Sequence, residues 1–288
     1  MTEAQAPENI ARVQEGDLVM LNDSKHKNHL LVVKAGEVFM SHRGTIKHDD
    51  IIGQAWGVRL ESHMGSPFFV LQAGVTDLVQ NIKRTTQIMY PKDIGYLILR
   101  LGVGPGKRVL ECGGGSGGMT TVLAYLTGDT GRVYSYERNA KAQSLAQKNL
   151  ALFGLDQRVE FKSGDAKDGF DERNLDALLL DLPNPYDYLE QVRASLKGGG
   201  QFATLLPTVN QVETTLYALA HSSFAFIDVC EISLRHYKSD WARFRPVDRM
   251  VAHTGYLVFA RKIQDIGLVA EQYQENEQSD EVERDGLD

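Results

Sequence analysis

The feature that most constrains the fold of this chain is a glycine-rich turn that directly follows a short apolar run. The run RVLEC occupies residues 108–112, and GGGSGG follows at residues 113–118, just before a helical pattern begins. Glycines at such a point let the backbone turn tightly and let a ligand approach the main chain closely. A turn of this kind is weak evidence by itself, because many tight turns contain several glycines. Its surroundings therefore decide its interpretation.

The chain around this turn alternates between strand-like and helix-like segments. Strands are predicted at residues 108–112, 132–137, 158–162, 176–181, 201–206, 224–232 and 254–261, with helices at 119–126, 140–153, 188–196 and 209–220. This alternation predicts an α/β fold in which helices cover both faces of a parallel sheet. The last two strands have little helix between them, which predicts an antiparallel pair at one edge.

The first part of the chain has a different pattern. Short apolar runs there are broken by glycine, asparagine and proline turns, which predicts a small β-rich domain over residues 1–75. The α/β domain then covers residues 76–264. Basic residues are frequent in the first domain, and they fit a solvated sheet face as well as an RNA-docking face. They include Lys25, Lys27, Lys34, Arg43, Lys47 and Arg59, with His26, His29, His42 and His48 nearby.

Charge is concentrated at the end of the chain. Nine of the 38 acidic residues but only one of the 31 basic residues lie in residues 265–288, so this segment carries −8 while the rest of the chain carries +1. We predict an acidic, flexible tail there. Because a nearly neutral body can still have a basic face, the net charge of −7 does not exclude a nucleic-acid partner.

Several classes of protein are excluded on composition. The two cysteines, Cys112 and Cys230, are far apart and form no C-x-x-C pair, so neither a disulfide framework nor a zinc site is predicted, and no metal is expected. No apolar run is long enough to cross a membrane, and the first residues have no basic start or apolar core. The expected location is the cytoplasm.

Three acidic residues stand where a nucleoside site would need them. Glu137 ends the next strand about twenty residues after the turn, where a carboxylate can bind two ribose hydroxyls. Glu111 lies two residues before the first glycine; a charge there is awkward for a pyrophosphate but suits the amino group of S-adenosylmethionine. Asp165 follows the third strand and could pair with the adenine amino group, or could simply cap a helix. This pattern resembles the class I methyltransferases, whose fold is Rossmann-like.

The loop after the fourth strand is the predicted place for chemistry. It reads DLPNPY from Asp181 to Tyr186, and ligands in doubly wound sheets lie beyond the carboxyl ends of the strands. Pro183 and Pro185 restrict the backbone and stiffen the loop. Asp181 would therefore stand beside the activated methyl group, although a loop cap would also explain an aspartate here.

Further motifs point to one family of enzymes. They are RTTQIMYPKDIGY at residues 84–96, the loop DLPNP at 181–185, RP at 245–246, HTGYL at 253–257 and RGTIKHDDIIG at 43–53. Together they resemble the tRNA adenine-N1 methyltransferases that act on adenine 58 of the T-loop. The resemblance implies S-adenosylmethionine as cofactor, tRNA as partner, a tRNA-docking N-terminal domain and a homotetramer.

The resemblance also assigns roles to residues. Asp181 is the expected catalytic residue and accepts a hydrogen bond from the adenine N6 amino group. Cofactor binding is expected of Gln87, Glu111, Gly113, Gly115, Ser116, Gly117, Gly118, Glu137, Asp165, Ala166 and Asp181. Substrate binding is expected of Tyr90, Tyr186, Arg245 and His253. Either tyrosine could equally be a core residue.

Three other functions remain as alternatives. An N6-adenine methyltransferase would have the motif [D/N]-P-P-[Y/F], whereas Leu182 separates Asp181 from Pro183 here. A tRNA-binding subunit without catalysis would lack the glycine turn and its acidic partners, which this chain retains. A small-molecule methyltransferase would need no basic N-terminal domain. Fold alone does not choose among these substrates.

Overall fold

The computed structural model describes residues 11–23, 27–85 and 87–264. These residues form two compact units that divide between Lys83 and Arg84. The predicted acidic tail at residues 265–288 lies outside the described residues, as do Lys25, His26 and Thr86.

The first unit is β-rich, as predicted. Its elements are β1 (Leu18–Asp23), β2 (Asn28–Val32), β3 (Val38–Ser41), β4 (Gly44–Lys47), α1 (His48–Ile51), β5 (Arg59–Glu61), β6 (Pro67–Gln72) and α2 (Val75–Asn81). Four strands form an antiparallel sheet in the order β2-β1-β6-β5, and β3 pairs with β4 in a separate hairpin. Val19, Leu21 and Phe68 are fully buried in the core of this unit.

The first unit extends beyond residue 75, where the sequence places its boundary. Asp77 ties helix α2 to its surroundings, because its carboxylate accepts hydrogen bonds from Gly74 N at 2.9 Å and from Asn28 Nδ2 at 3.4 Å. Asn28 belongs to strand β2, so the helix is attached to the sheet of the first unit. The division therefore comes after this helix, at Lys83.

Some basic residues of the first unit are used inside it. The Arg43 guanidinium lies 3.2 Å from the buried Asp23 carboxylate, and its side chain is only 16% exposed. His48 is buried and accepts a hydrogen bond from Lys34 N at 3.0 Å through Nδ1. Lys27 and Lys47 are exposed. The basic face considered for this unit is therefore smaller than the composition suggests.

The second unit contains a seven-stranded sheet with helices packed against it. Its strands are β7 (Arg108–Cys112), β8 (Arg132–Tyr136), β9 (Val159–Lys162), β10 (Leu175–Leu180), β11 (Leu196–Leu206), β12 (Phe224–Cys230) and β13 (Tyr256–Lys262). Its helices are α3 (Pro91–Leu101), α4 (Gly118–Thr127), α5 (Ala140–Leu152), α6 (Leu189–Ser195) and α7 (Val209–Ala220). The strand order is β12-β13-β11-β10-β7-β8-β9. The predicted α/β architecture is confirmed.

The direction of the strands also agrees with the sequence. Strands β11, β10, β7, β8 and β9 are parallel neighbours, whereas β13 runs antiparallel to both β11 and β12. Strand β10 is almost entirely buried, as its apolar run predicts. The antiparallel closing strand lies at the predicted edge.

Register brings the ends of the central strands together. Cys112 pairs with both Leu180 and Tyr136, and Tyr136 pairs with Lys162, so strands β10, β7, β8 and β9 all end at one level. The chain order reverses between β10 and β7, since β7 is followed by β8 on the other side. Ligands of such sheets bind in the crevice beyond this point. The residues that follow these four strands therefore form the candidate site.

Candidate active site

The glycine-rich turn forms the floor of the site. Gly113, Gly115 and Gly117 have φ values of 97°, 53° and 88°, a backbone region that side chains with a Cβ atom rarely adopt. A Cβ atom at Gly113 would lie 2.4 Å from the carbonyl oxygen of Asp181. The main chain at Gly113 thus lies against the main chain of Asp181, and only glycine leaves room for this contact. The turn then leads directly into helix α4.

Glu137 is fixed above this turn by backbone hydrogen bonds. Its Oε2 accepts a hydrogen bond from Gly115 N at 2.8 Å, and its Oε1 accepts one from Asn139 N at 2.7 Å. A carboxylate has about four lone-pair positions, so two hydrogen bonds leave capacity to accept from hydroxyl groups. The geometry supports the predicted role of Glu137 toward a ribose.

Asp165 has a structural role that the sequence also allowed. Its Oδ1 accepts a hydrogen bond from Lys167 N at 3.1 Å, which caps the short 3₁₀ helix Ala166–Asp168. Its Oδ2 lies 3.7 Å from the Arg138 guanidinium, whose side chain is 80% exposed. The hydrogen bond from Lys167 N uses only one carboxylate oxygen of Asp165, and Asp165 also lines the cleft beyond the strand ends.

The side chain of Asp181 is partly buried, and its main chain lies next to the glycine-rich turn. Its backbone N–H donates to Cys112 O at 2.9 Å, which continues the sheet one residue beyond β10. Burial, and secondarily the negative charge of Glu137, raises the pKa of the Asp181 carboxyl to about 6. This carboxyl group is therefore a good hydrogen-bond acceptor at neutral pH and titrates close to it.

These groups border one open cleft with a volume of about 260 Å³. Seven of the residues predicted to form the site line it: Gln87, Gly113, Gly115, Glu137, Asp165, Ala166 and Asp181. The cleft brings together residues from four different strand ends and from the segment before helix α3. No cluster of side chains that could bind a metal ion occurs among the described residues.

Four predicted cofactor residues stand behind the cleft rather than along it. Glu111 is 1% exposed and accepts a hydrogen bond from Thr120 Oγ1 at 2.5 Å. Burial raises the pKa of its carboxyl to about 7, and the charges of Asp181 and Glu137 act in the same direction. Ser116 is buried and its hydroxyl accepts a hydrogen bond from Thr85 N at 3.1 Å. Gly117 caps helix α4 and Gly118 begins it.

Comparison with known proteins identifies the family. Residues 68–244 match the family described as the tRNA methyltransferase complex GCD14 subunit, and residues 12–58 match the TrmI-like N-terminal family. The chain is 33% identical to the tRNA (adenine(57)-N(1)/adenine(58)-N(1))-methyltransferase TrmI of Methanocaldococcus jannaschii, over 84% of this chain and 94% of that protein. The chain belongs to this family of tRNA methyltransferases. It is also 30% identical to the tRNA (adenine(58)-N(1))-methyltransferase TrmI of Thermus thermophilus, over 85% of this chain and 96% of that protein.

Solved structures confirm the predicted class I methyltransferase fold. The tRNA (m1A58) methyltransferase TrmI from Aquifex aeolicus matches with a TM-score of 0.74 and 36% identity, covering 88% of this chain and 100% of that chain. A protein from Thermotoga maritima described as a SAM-dependent O-methyltransferase matches with a TM-score of 0.80 and 39% identity, covering 88% and 95%. Enzymes of this fold family use S-adenosylmethionine as methyl donor, which is the cofactor that the sequence predicts.

The four predicted substrate residues do not line the cleft. Tyr90 precedes helix α3 and is 39% exposed, while Tyr186 lies in the short helix Pro185–Tyr188. Arg245 is an exposed residue that donates to Asp248 at 2.8 Å. His253 bridges Glu231 Oε1 at 2.8 Å and Pro207 O at 3.0 Å. The pKa of His253 is raised by the Pro207 carbonyl and by Glu231.

The cleft also contains residues that the sequence analysis did not select. They are Cys112, Tyr136, Arg138, Gly164, Leu182, Pro183, Asn184 and Tyr188. Arg138 and Gly164 are direct neighbours of predicted residues, so position relative to the strand ends could have found them. Tyr188 lies two residues after the tyrosine that was selected, and only the 3₁₀ turn of Pro185–Tyr188 decides which of the two faces the cleft. Burial raises the pKa of the Cys112 thiol to about 12, so this cysteine is not a nucleophile near neutral pH.

Proposed function

We propose that this chain transfers the methyl group of S-adenosylmethionine to N1 of adenine 58 in the T-loop of tRNA. The observation that carries the proposal is the Asp181 carboxyl group, partly buried at the carboxyl end of β10 and in backbone contact with the glycine turn. Two relatives, which match 84% and 85% of this chain, are named for methylation of this adenine.

The residues of the cleft fit the methyl donor. A glycine turn without Cβ atoms lets the donor approach the main chain, and Glu137 has lone pairs left for two ribose hydroxyls. Asp165 and Ala166 follow the third strand of the sheet and line the cleft, and we propose that Asp165 accepts a hydrogen bond from the adenine amino group of the donor. When bound, S-adenosylmethionine supplies a methyl group activated by a sulfonium. Four carboxyl groups, those of Glu137, Asp165 and Asp181 in the cleft and of Glu111 behind it, favour such a cationic ligand.

Asp181 would assist the target base rather than the donor. Adenine N1 carries a lone pair in the ring plane, and methylation leaves a positive charge on the base unless N6 loses a proton. A hydrogen bond from N6–H to the Asp181 carboxylate raises the electron density at N1 and stabilises this developing charge. The remaining rate enhancement comes from alignment of the base with the methyl group.

The alternatives fit the observed site less well. In the loop after β10, Leu182 lies between Asp181 and the first proline, which differs from the D-P-P arrangement of N6-adenine enzymes. A binding subunit without catalysis would not need the Gly115–Glu137 hydrogen bond or the raised pKa of Asp181. Methyl transfer to a small molecule would leave the first unit without a role. The Thermotoga protein is described only as an O-methyltransferase, with no substrate named.

We further propose that the first unit docks tRNA, that the protein is a cytoplasmic homotetramer, and that Tyr188 rather than Tyr186 stacks on the target base. The exposed Lys27 and Lys47 support docking, because cations bind the phosphate backbone. Tyr188 lines the cleft and Tyr186 does not. No helix in the described residues is long and apolar enough to span a membrane.

The test uses an unmodified tRNA transcript and labelled S-adenosylmethionine. Nucleoside analysis of the product should find N1-methyladenosine, and mapping should place it at position 58, with position 57 measured in the same experiment. A transcript in which uracil replaces adenine 58 is the control and should accept no methyl group at that position. N6-methyladenosine as the primary product, with alkaline rearrangement controlled for, would overturn the proposal. So would labelling of small molecules but not of tRNA.

A further inference from the structure

The loop that carries Asp181 leaves the sheet and needs anchors from elsewhere. It is held at its start, where Asp181 N donates to Cys112 O and the Asp181 main chain packs on Gly113. Beyond that point Leu182 and Pro183 run outward to the short helix Pro185–Tyr188. Two of the loop residues are prolines, which have no N–H to donate to the rest of the structure. The loop therefore depends on contacts to its carbonyl oxygens and side chains.

The start of helix α7 has the sequence of a capping box but not its hydrogen bonds. Thr208 is the N-cap residue and Gln211 follows three positions later, which is the S/T-x-x-E/Q pattern. In a capping box the hydroxyl accepts a hydrogen bond from the backbone of the third helical residue, whose own side chain reaches back to the N-cap. In the described part of the chain, Thr208 accepts no such bond from the helix.

The two side chains bond to each other instead, and that of Gln211 reaches the loop after β10. Thr208 Oγ1 donates to Gln211 Oε1 at 2.6 Å, and Gln211 Nε2 donates to the Pro183 carbonyl oxygen at 2.8 Å. Because the hydroxyl holds the amide oxygen, the amide nitrogen is directed at Pro183. Helix α7 also packs against the short helix that follows the loop. The helix thus forgoes a favourable cap and contacts the loop at the edge of the cleft.

The turn that begins α7 is itself fixed from the opposite side. The Pro207 carbonyl accepts a hydrogen bond from His253 Nε2 at 3.0 Å, and His253 Nδ1 bonds to Glu231 at 2.8 Å. Pro207 directly precedes Thr208. The turn that carries Thr208 is therefore held by residues next to strands β12 and β13, namely Glu231 and His253.

We propose that Gln211 is a positioning residue for methyl transfer, which holds the main chain at Pro183 and thereby the cleft loop from Asp181 to Asn184. This inference rests on the proposed function. Gln211 does not line the cleft, so it acts through the loop and not on the substrate. Two groups expected to hold the methyl donor, Gly113 and Glu137, belong to other strands, and Asp181 keeps its own hydrogen bond to Cys112. Loss of the anchor should therefore slow transfer without weakening donor binding.

Two variants remove the anchor in different ways. Gln211→Glu keeps the size and can still accept from Thr208, but it places a carboxylate oxygen against the Pro183 carbonyl. Gln211→Met keeps the length and forms no hydrogen bond. We expect kcat at saturating tRNA and S-adenosylmethionine to fall about tenfold or more in both, because small misalignments are costly in rate. The calorimetric Kd for S-adenosylmethionine should stay within about twofold of wild type, since the donor contacts are untouched.

Neighbouring variants serve as controls. Asn210→Asp adds the same charge one residue earlier, where the side chain is exposed, and should leave kcat unchanged. Thr208→Ser keeps the hydroxyl that orients Gln211 and should retain wild-type kcat, whereas Thr208→Val should lower it. These comparisons separate an effect of orientation from an effect of charge or of helix stability.

The inference is overturned if both Gln211 variants turn over within twofold of wild type. It is also overturned if they lower only Tm while the folded enzyme keeps its kcat, because the pair would then serve helix α7 alone. Failure of the proposed function would look different, since the wild-type enzyme itself would not methylate adenine 58. In that case the same ratio of variant to wild-type kcat, measured on the substrate that is labelled, still decides the role of Gln211.

Discussion

At the scale of single residues, the carboxyl groups in and behind the cleft influence one another's ionisation. Burial raises the pKa of Glu111 to about 7 and that of Asp181 to about 6, and the charge of Glu137 contributes to both shifts. Each group is thus harder to ionise while its neighbours are ionised. A cationic methyl donor reverses this tendency, so donor binding and ionisation of the cleft should be coupled.

The pH dependence of the reaction should report Asp181. Because the pKa of Asp181 is raised to about 6, its carboxyl group is mostly protonated below that pH. A protonated carboxyl group carries no negative charge and does not stabilise a developing positive charge. We expect kcat/KM for the methyl donor to fall as the pH drops through about 6. Glu137→Gln removes a negative charge and should move this inflection to lower pH. A wild-type profile that is flat between pH 5 and pH 8 would contradict the assignment.

Glu137 should contribute to donor binding more than to chemistry. Glu137→Ala removes a charged acceptor for the ribose and also frees Gly115 N and Asn139 N. A hydrogen bond to a charged group contributes about 1.5–3 kcal/mol, so KM for S-adenosylmethionine should rise roughly 10- to 100-fold. Steady-state kinetics at varied donor concentration measure this change. A large loss of kcat with unchanged KM would place Glu137 in the chemical step instead.

At the scale of elements, the turn after β7 and the loop after β10 approach each other closely. Gly113→Ala would combine a left-handed φ of 97° with a Cβ atom 2.4 Å from the Asp181 carbonyl. Gly154→Ala is a matched control, because Gly154 has a φ of 67° and open space around it. We expect the control to lose about 1–2 kcal/mol from backbone strain and Gly113→Ala to lose about 1–3 kcal/mol more.

Urea denaturation of the two glycine variants measures this difference, and calorimetry measures donor binding. Only Gly113→Ala should bind S-adenosylmethionine more weakly, because only there does the added Cβ atom distort the glycine-rich turn that the donor approaches. Equal losses of stability in the two variants, with equal donor affinity, would mean that the close approach is not important.

Most elements of the second unit could be predicted because their sequence patterns are local. Strand β7 and helix α7 have the predicted bounds, and strand β10 differs by one residue at each end. Strand β11 begins at Leu196 rather than at residue 201. Its pairing with β10 continues across an irregularity at residues 198–200, where Gly199 has a φ of 75°, and such a glycine-containing bulge reads as a turn in the sequence. Helix α2 lies after the boundary predicted at residue 75 but before the division at Lys83, because its hydrogen bond to Asn28 spans 49 residues of sequence.

In the candidate site too, the residues with local sequence signals could be predicted and those with distant partners could not. Residues that follow strand ends, such as Glu137 and Asp181, could be placed from the sequence, since register brings parallel strand ends together. His253 could not, because its partners Glu231 and Pro207 are distant along the chain. The hydrogen bond from Gln211 to Pro183 could not be predicted either, because the sequence from Thr208 to Gln211 has the pattern of an ordinary capping box.

At the scale of the whole molecule, charge is expected to govern encounter with tRNA. Residues 265–288 carry −8, and this charge repels the phosphate backbone. Truncation after Gln264 should leave folding and methyl transfer intact and should tighten non-specific RNA binding at low salt. The difference in Kd should shrink as salt rises, because screening weakens exposed charges. Unfolding of the truncated protein, or loss of methyl transfer, would mean that the segment has a structural role.

The most direct test of the central claim is the single-turnover rate of methyl transfer to adenine 58 by Asp181→Asn. The asparagine has nearly the same size but carries no negative charge, and Asp168→Asn is a control at an exposed position outside the cleft. With tRNA and S-adenosylmethionine bound at saturation, we expect the rate to fall about 10²–10⁴-fold in Asp181→Asn and to remain unchanged in the control. A rate close to wild type for Asp181→Asn would contradict the account, and alignment alone would then have to explain catalysis in this cleft.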